Sequence, residues 1–127
     1  MVILAIVIGC LIGIIAGIYA PIIPYTWSGY VAISIVAALD SVFGGISSTI
    51  KGNFDLRIFV SGFFGNAILS ILLTYLGQKL NVDIYLAAIV VFVGRMFTNL
   101  AIIRRYYMDK WINRKKKIKT QKIAKEQ

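Results

Sequence analysis

Two oppositely charged side chains interrupt long hydrophobic runs of this 127-residue chain, and they are its most chemically conspicuous residues. Asp40 lies within residues 30–50, and Arg95 lies within residues 84–103. An isolated charge at the centre of a bilayer costs at least about 2.5–3.5 kcal/mol, so such residues pair with one another or serve a function. We therefore expect Asp40 and Arg95 to form an ion pair inside the membrane.

Polar side chains in the same runs could extend this pair into a network. Thr98 and Asn99 follow Arg95 by three and four residues, which places them on its helix face. Asn66 lies inside a third hydrophobic run. One hypothesis is a buried polar lock that fixes helix order, and the other is a proton or ion relay. A matched acid and base neutralise each other, which favours the lock.

The chain lacks the residues that common catalytic and metal-binding sites require. The chain has no histidine and a single cysteine, Cys10, within an apolar run. A Ser-His-Asp set is therefore impossible, and without histidine or a second cysteine a zinc site is nearly excluded. No glycine loop with a following lysine could cradle a phosphate. We expect no enzyme activity, no metal and no cofactor.

The composition predicts a membrane protein. Hydrophobic residues make up 59% of the chain, against roughly 45–50% in soluble domains, and the mean hydropathy is +0.82. Residues 1–39 contain no charged side chain. We predict an all-α membrane protein with four transmembrane helices, short loops and a basic cytoplasmic C-terminal tail. The spans fall at about residues 2–19, 30–50, 58–76 and 84–103, so the membrane domain covers 1–105 and the tail covers 106–127.

Two alternatives concern the first two spans. Residues 2–18 could instead be a signal peptide. A signal peptide carries basic residues before its apolar stretch, and none precedes this one, so we expect a retained helix. The second span contains Asp40, Gly44 and Gly45, which could turn it into a re-entrant segment. That arrangement would leave three spans and place the N-terminus outside.

The distribution of Lys and Arg predicts the orientation. In a four-span protein the 51–57 loop and the tail share one side, which holds Lys51, Arg57 and the ten basic residues after Ile103. The opposite side holds only Lys79. The positive-inside rule therefore places both termini in the cytoplasm and the protein in the plasma membrane. In this topology the two intramembrane charges lie at the same depth, roughly 15 Å from the outer ends of their helices.

The tail carries most of the net charge of +9. Because this basic stretch directly follows a hydrophobic span, it favours an anionic inner leaflet as its partner, and not nucleic acid. The membrane-surface basic residues are Arg104, Arg105, Arg114, Lys115, Lys116 and Lys117.

Small residues mark the predicted packing faces. Gly9, Gly13 and Gly17 recur at four-residue intervals along the first span, a spacing that lets two helix backbones approach closely. The stripe could pack against another span of the same chain or form the seam of a homo-oligomer. In the second span, we expect Gly44 and Gly45 to pack as well.

Three segments together resemble the bacterial small basic protein family. They read YVAISIVAALDSVFGGI from Tyr30, IFVSGFFGNAIL from Ile58 and LNVDIYLAAIVVFVGRMFTNLAIIRR from Leu80, and the resemblance covers roughly residues 28–111. It implies an uncharacterised multi-pass membrane protein whose gene often lies beside cell-division genes. Ser47 stands where the family often has a basic residue. The residues that match the family pattern are Asp40, Gly44, Gly45, Asn66, Arg95, Asn99, Arg104 and Arg105.

These observations favour a protein that acts through helix–helix contacts with a membrane protein partner, as an accessory to cell division or envelope assembly. The alternative is a small ion or solute transporter or channel working as a homodimer. Small multidrug exporters have a similar size but need a glutamate in the first helix, which this chain lacks.

Overall fold

The computed structural model describes residues 1–126, except the side chains of residues 2, 3 and 126. Gln127, the last residue of the predicted tail, lies outside the described residues. Four helices follow one another: α1 (Val2–Tyr19), α2 (Tyr25–Ile50), α3 (Leu56–Leu80) and α4 (Ile84–Glu126). The predicted all-α architecture with four helices is thereby confirmed. Three of them, α2, α3 and α4, are long and apolar enough to cross a membrane. The described part of α1, Leu4–Tyr19, is a shorter apolar helix.

The helix boundaries follow from local backbone chemistry. Ala20 precedes a proline and takes an extended conformation, which ends α1. Pro24 then starts α2 five residues earlier than hydropathy alone predicts, because its backbone carbonyl accepts from the amide of Trp27 at 2.9 Å. Asp55 caps α3: its Oδ1 accepts hydrogen bonds from the amides of Arg57 and Ile58, at 2.8 and 3.3 Å.

A tight turn joins α3 to α4. Asn81 takes the left-handed conformation with φ of 53°, and the amide of Val82 donates to the carbonyl of Gly77 at 2.9 Å. A Cβ on Gly77 would lie 2.6 Å from the Val82 carbonyl oxygen, so only glycine fits there. The connections of three residues here and five residues between α2 and α3 make consecutive helices antiparallel neighbours.

Helix α2 is the centre of the packed bundle. It packs against both α3 and α4, and α3 also contacts α4. Ile33 and Ala37 of α2 are buried together with Phe92 of α4. Helix α2 runs without interruption through Asp40, Gly44 and Gly45, so the re-entrant alternative does not describe this structure.

Helix α4 is much longer than the span predicted from hydropathy. It runs for 43 residues, which at 1.5 Å per residue is about 65 Å, roughly twice the thickness of a bilayer core. No glycine or proline follows Gly94, and the Lys- and Arg-rich sequence after Ile103 favours helix. The predicted tail is therefore helical as far as Glu126, and it continues the last span without a break at residue 105.

Candidate functional site

The site is built on the face of α2 that meets α3 and α4. Asp40 lies ten residues before the end of this helix and is completely buried. Ser41 and Ser47 of the same helix are also buried. Of the three packed helices, α2 has the largest buried share of its apolar stretch, 28% against 6% for both α3 and α4.

Arg95 of α4 reaches this carboxylate. Its Nη2 atom lies 3.3 Å from Asp40 Oδ2. The two side chains differ sharply in exposure, since that of Asp40 is 0% exposed and that of Arg95 is 54% exposed. Neither carboxylate oxygen of Asp40 receives a hydrogen bond from the described residues. The carboxylate thus has an opposite charge beside it but accepts no hydrogen bond from the guanidinium.

The hydroxyls near Asp40 do not supply the missing hydrogen bonds. Ser41 Oγ donates to the carbonyl of Ala37 at 3.0 Å, and Ser48 Oγ donates to that of Gly44 at 2.9 Å. Such bonds to the preceding turn satisfy a hydroxyl within its own helix. The serines of α2 are therefore part of the helix and not ligands of the carboxylate.

The two predicted asparagines lie at different places. Asn66 of α3 lines the same cleft as Asp40 and Arg95. Asn99 instead faces α2 one turn further along, where its Nδ2 would lie 3.8 Å from a Cβ built on Gly44. The structure thus brings Asp40, Arg95 and Asn66 together and leaves Asn99 beside the glycine pair.

A cleft of about 210 Å³ runs from this group toward the α2–α3 loop. Its polar wall comes from all three packed helices and from the loop, and its apolar wall from phenylalanine rings. The residues that line it include Asp40, Ser48, Asn53, Phe54, Asp55, Phe59, Gly62, Phe63, Asn66 and Arg95.

The predicted packing glycines divide into two groups. A Cβ on Gly45 would lie 2.9 Å from Phe59 Cε2, so this buried glycine lets α3 approach α2. By contrast, Gly9, Gly13 and Gly17 have no atom within 4 Å of a built Cβ. The stripe on α1 therefore does not pack against another helix of the chain in this structure.

The predicted basic residues all lie exposed on α4, from Arg104 at its middle onward. Lys115 Nζ lies 3.7 Å from the centre of the Trp111 ring, which is a cation–π contact between residues one helical turn apart. The described residues contain no group of three or more His, Cys, Asp or Glu that could hold a metal ion.

Sequence reasoning missed the aromatic cluster that faces Gly45. Phe54, Phe59 and Phe63 stack in sequence, with ring centres 5.7 and 6.4 Å apart. Phe59 and Phe63 are four residues apart, a spacing that could have indicated a shared face. The contact of Phe54 and Phe59 with Gly45 depends on the α2–α3 turn, which no local pattern specifies.

Comparisons with known proteins agree with the resemblance drawn from the sequence. Residues 23–108 match the family described as "Protein of unknown function (DUF1290)". The "Small basic protein" of Bacillus subtilis is 45% identical over 111 residues, covering 87% of this chain and 92% of the relative. Uncharacterised proteins of Mycobacterium bovis and Mycobacterium tuberculosis are each 39% identical over 97 residues, covering 74% of this chain and 80% of the relative. No solved structure matches the chain. The chain belongs to the DUF1290 family, as the three sequence segments had led us to expect.

Proposed function

We propose that the protein is a multi-pass protein of the bacterial plasma membrane with both termini in the cytoplasm. Its support is the apolar character of α1, α2, α3 and the first half of α4, and the twelve basic residues on one side against Lys79 on the other. The first half of α4 then lies in the membrane, and its second half extends from the inner surface. The membrane domain then covers residues 1–105 and the basic part begins at 106, and helix α4 continues from one into the other.

The proposed activity is non-enzymatic: the protein binds another membrane protein through helix–helix contacts, as an accessory to cell division or envelope assembly. One observation carries this proposal, namely that α1 is apolar but is not covered by the rest of the chain. Apart from half-buried Ile6, its described side chains are exposed, and its glycine stripe is open. The setting in division or envelope assembly comes from the family resemblance.

The open stripe suits a helix from another molecule. In lipid, helices associate through close packing at small residues, because the lipid tails are as apolar as the side chains. Gly9, Gly13 and Gly17 would let such a helix approach the α1 backbone. A second copy of this chain is one candidate for this helix, and an unrelated membrane protein is the other.

In-cell crosslinking tests this proposal. Crosslinkers attached at the α2–α3 loop and in the second half of α4 would capture neighbours, and mass spectrometry of the adducts would identify them. We expect membrane proteins of the division or envelope machinery among the adducts. Adducts containing only this protein would indicate a self-contained oligomer and count against the accessory role.

A matched pair of variants links the adducts to α1. Gly13→Leu adds bulk on the stripe, whereas Ile15→Phe adds bulk on the opposite face of the same helix. We expect Gly13→Leu to remove the heterologous adducts and Ile15→Phe to preserve them. Equal adduct yields from both variants would exclude the stripe as the contact surface.

A second candidate function is a small ion or solute transporter or channel, acting as a homodimer. It is favoured by the cleft that leads from the loop to Asp40 and Arg95, because intramembrane charges beside a cavity often line transport pathways. Ion or proton flux into proteoliposomes that is abolished by Asp40→Asn would support this function. Absence of flux across a range of ions and pH values would remove it.

A further inference from the structure

The three packed helices enclose a second pocket, of about 400 Å³, at the end of the bundle that carries the α3–α4 turn. We call it the turn pocket. No described residue lines both this pocket and the cleft beside Asp40. Its lining includes Tyr25 and Gly29 of α2, Gln78 of α3, Asn81 and Asp83 of the turn, and Tyr85 of α4.

The turn pocket has a negative formal charge. Asp83 is the one charged residue among the described residues that line it. Lys79, the nearest basic residue along the chain, is turned elsewhere: its Nζ lies 5.6 Å from the centre of the Tyr75 ring, which lines a separate groove. Among the described side chains, Arg95 and Asp40 form an ion pair, and Asp83 forms none. The carboxylate is thus uncompensated, in a protein whose net charge is +9.

The carboxylate of Asp83 is also free of the role that its position in the chain suggests. Asp83 directly precedes α4, as Asp55 directly precedes α3. An aspartate at such a position commonly accepts hydrogen bonds from amides of the first helical turn, and Asp55 does so. At α4, the backbone carbonyl of Asp83 accepts from the Leu86 amide at 3.1 Å, and no described group donates to the carboxylate. The carboxylate lines the turn pocket instead.

The uncharged polar groups of the pocket do not offset this carboxylate. Four side chains in the lining can both donate and accept hydrogen bonds: Tyr25, Gln78, Asn81 and Tyr85. These groups favour neither sign of charge. The hydroxyls of Ser28 and Thr74 each donate to a carbonyl of their own helix, at 2.8 Å, and retain lone pairs that can accept. The charge preference of the pocket is therefore set by Asp83, and it favours a cation.

The size and lining of the pocket indicate which kind of cation fits. Its volume of about 400 Å³ lies within the roughly 300–1,000 Å³ of small-molecule sites, so it has room for an organic group. A divalent metal ion prefers several carboxylate ligands, and the described lining offers one. Tyrosine rings attract organic cations through their faces, and Tyr25 and Tyr85 supply two rings.

We propose that the turn pocket binds an organic ammonium group, with the Asp83 carboxylate as its counter-ion. The rings of Tyr25 and Tyr85 contact the alkyl part, and the N–H groups of the ammonium donate to Asp83 and to the neighbouring hydroxyl and amide oxygens. The ammonium group can belong to a lipid headgroup, since this end of the bundle lies at the membrane surface in the proposed topology, or to a soluble amine. This site is independent of the assembly role proposed for α1.

Titration of the full-length protein in neutral-detergent micelles, followed by ligand-observed NMR at constant ionic strength, tests the proposal. Ethanolammonium is the probe in one arm, and short-chain phosphatidylethanolamine is the probe in the second. Ethylene glycol, in a third arm, has nearly the same size as ethanolammonium but no charge.

Two matched variants separate the pocket from the rest of the surface. Asp83→Asn removes the charge and keeps a side chain suited to the position before a helix. Asp109→Asn makes the same change on the exposed surface of α4, about 38 Å along the helix from Ile84.

We expect Asp83→Asn to weaken ethanolammonium binding about fivefold, the upper end for an ion pair open to water, and Asp109→Asn to leave it unchanged. Tighter binding of phosphatidylethanolamine, with the same dependence on Asp83, identifies a lipid headgroup as the source. Equal or weaker binding of the lipid identifies a soluble amine. Equal ethanolammonium affinities for wild type and Asp83→Asn, or equal affinities for ethanolammonium and ethylene glycol, would overturn the proposal.

A second pair of variants keeps the test decisive if Asp83→Asn fails to fold. Gly29 lines the pocket, and a Cβ there meets only Thr74 Cγ2, at an ordinary 4.0 Å, so Gly29→Leu fills the pocket. Gly65→Leu adds the same bulk at an exposed position of α3 where a Cβ meets no atom within 4 Å. We expect Gly29→Leu to abolish ethanolammonium binding and Gly65→Leu to preserve it. Equal binding by these two variants would overturn the proposal as well.

Discussion

Arg95 of α4 contacts Asp40 of α2 through one nitrogen, with Nη2 3.3 Å from Oδ2, and this ion pair joins the two helices at the centre of the bundle. The carboxylate is completely buried and has no hydrogen bond from the described residues, so Arg95 is what compensates its charge. The guanidinium, by contrast, retains free donors. One contact therefore serves two roles: it holds α2 against α4, and it orients Arg95 toward the cleft.

Removing either member of this pair should destabilise the protein. Arg95→Ala leaves the fully buried Asp40 carboxylate unpaired, which typically costs about 3–5 kcal/mol in a buried pair. Asp40→Ala should cost less, because the Arg95 side chain that it leaves unpaired is half exposed. The double variant should recover much of the loss, because no unpaired charge remains. Unfolding of all four proteins in mixed detergent micelles gives the double-mutant cycle. Strictly additive losses would show that the two side chains do not interact energetically.

Two adjacent glycines should respond oppositely to the same substitution. Gly45→Ala places a methyl group 2.9 Å from Phe59 Cε2, so α2 and α3 must separate or the ring must shift. Overpacking of this kind costs about 1–3 kcal/mol. Gly44→Ala meets only Asn99 Nδ2, at an ordinary 3.8 Å, and should gain about 0.5–1 kcal/mol from helix propensity.

Thermal or detergent unfolding of the two glycine variants provides the comparison. Phe59→Leu combined with Gly45→Ala should relieve part of the loss, because a smaller side chain frees the space. If Gly45→Ala were as stable as Gly44→Ala, the close approach of α2 and α3 at this point would be refuted.

The division of the chain into helices could be predicted from the sequence, because hydropathy and proline positions act locally. The extent of α4 could not, since hydropathy detects where lipid ends and not where helix ends. The pairing of Asp40 with Arg95 was expected from their charges and their depth. The cleft and the Gly45–Phe59 contact were not expected, because they depend on how the short turns set α3 against α2.

The cap of α3 should contribute measurably to stability. Asp55→Ala removes the acceptor for the amides of Arg57 and Ile58, which should cost about 1 kcal/mol. Asp55→Asn keeps a capping oxygen and should cost much less. Asp109→Ala, on the exposed surface of α4, is the control for loss of a carboxylate alone. Equal losses for Asp55→Ala and Asp109→Ala would mean that the cap does not stabilise α3.

Cysteine labelling can determine the orientation of the helices in the membrane. Cys10 is the chain's one cysteine, so its replacement leaves only the cysteine that is introduced for labelling. In a Cys10→Ala background, Asn53→Cys reports on the α2–α3 loop and Asn81→Cys reports on the α3–α4 turn. Both positions are exposed. A membrane-impermeant maleimide should label Asn81→Cys in intact cells and Asn53→Cys only after permeabilisation, because the positive-inside rule predicts a cytoplasmic location for the basic loop. The reverse pattern would invert the topology.

A cysteine in a short tag placed before Met1 then decides whether α1 crosses the membrane. With four spans the tag is protected in intact cells, as the Asn53→Cys position is. With three spans it is labelled from outside together with Asn81→Cys. The apolar sequence of α1, free of charged residues from end to end, predicts protection. Labelling of the tag in intact cells would show that α1 does not cross, and its glycine stripe could then meet a partner only at the outer surface.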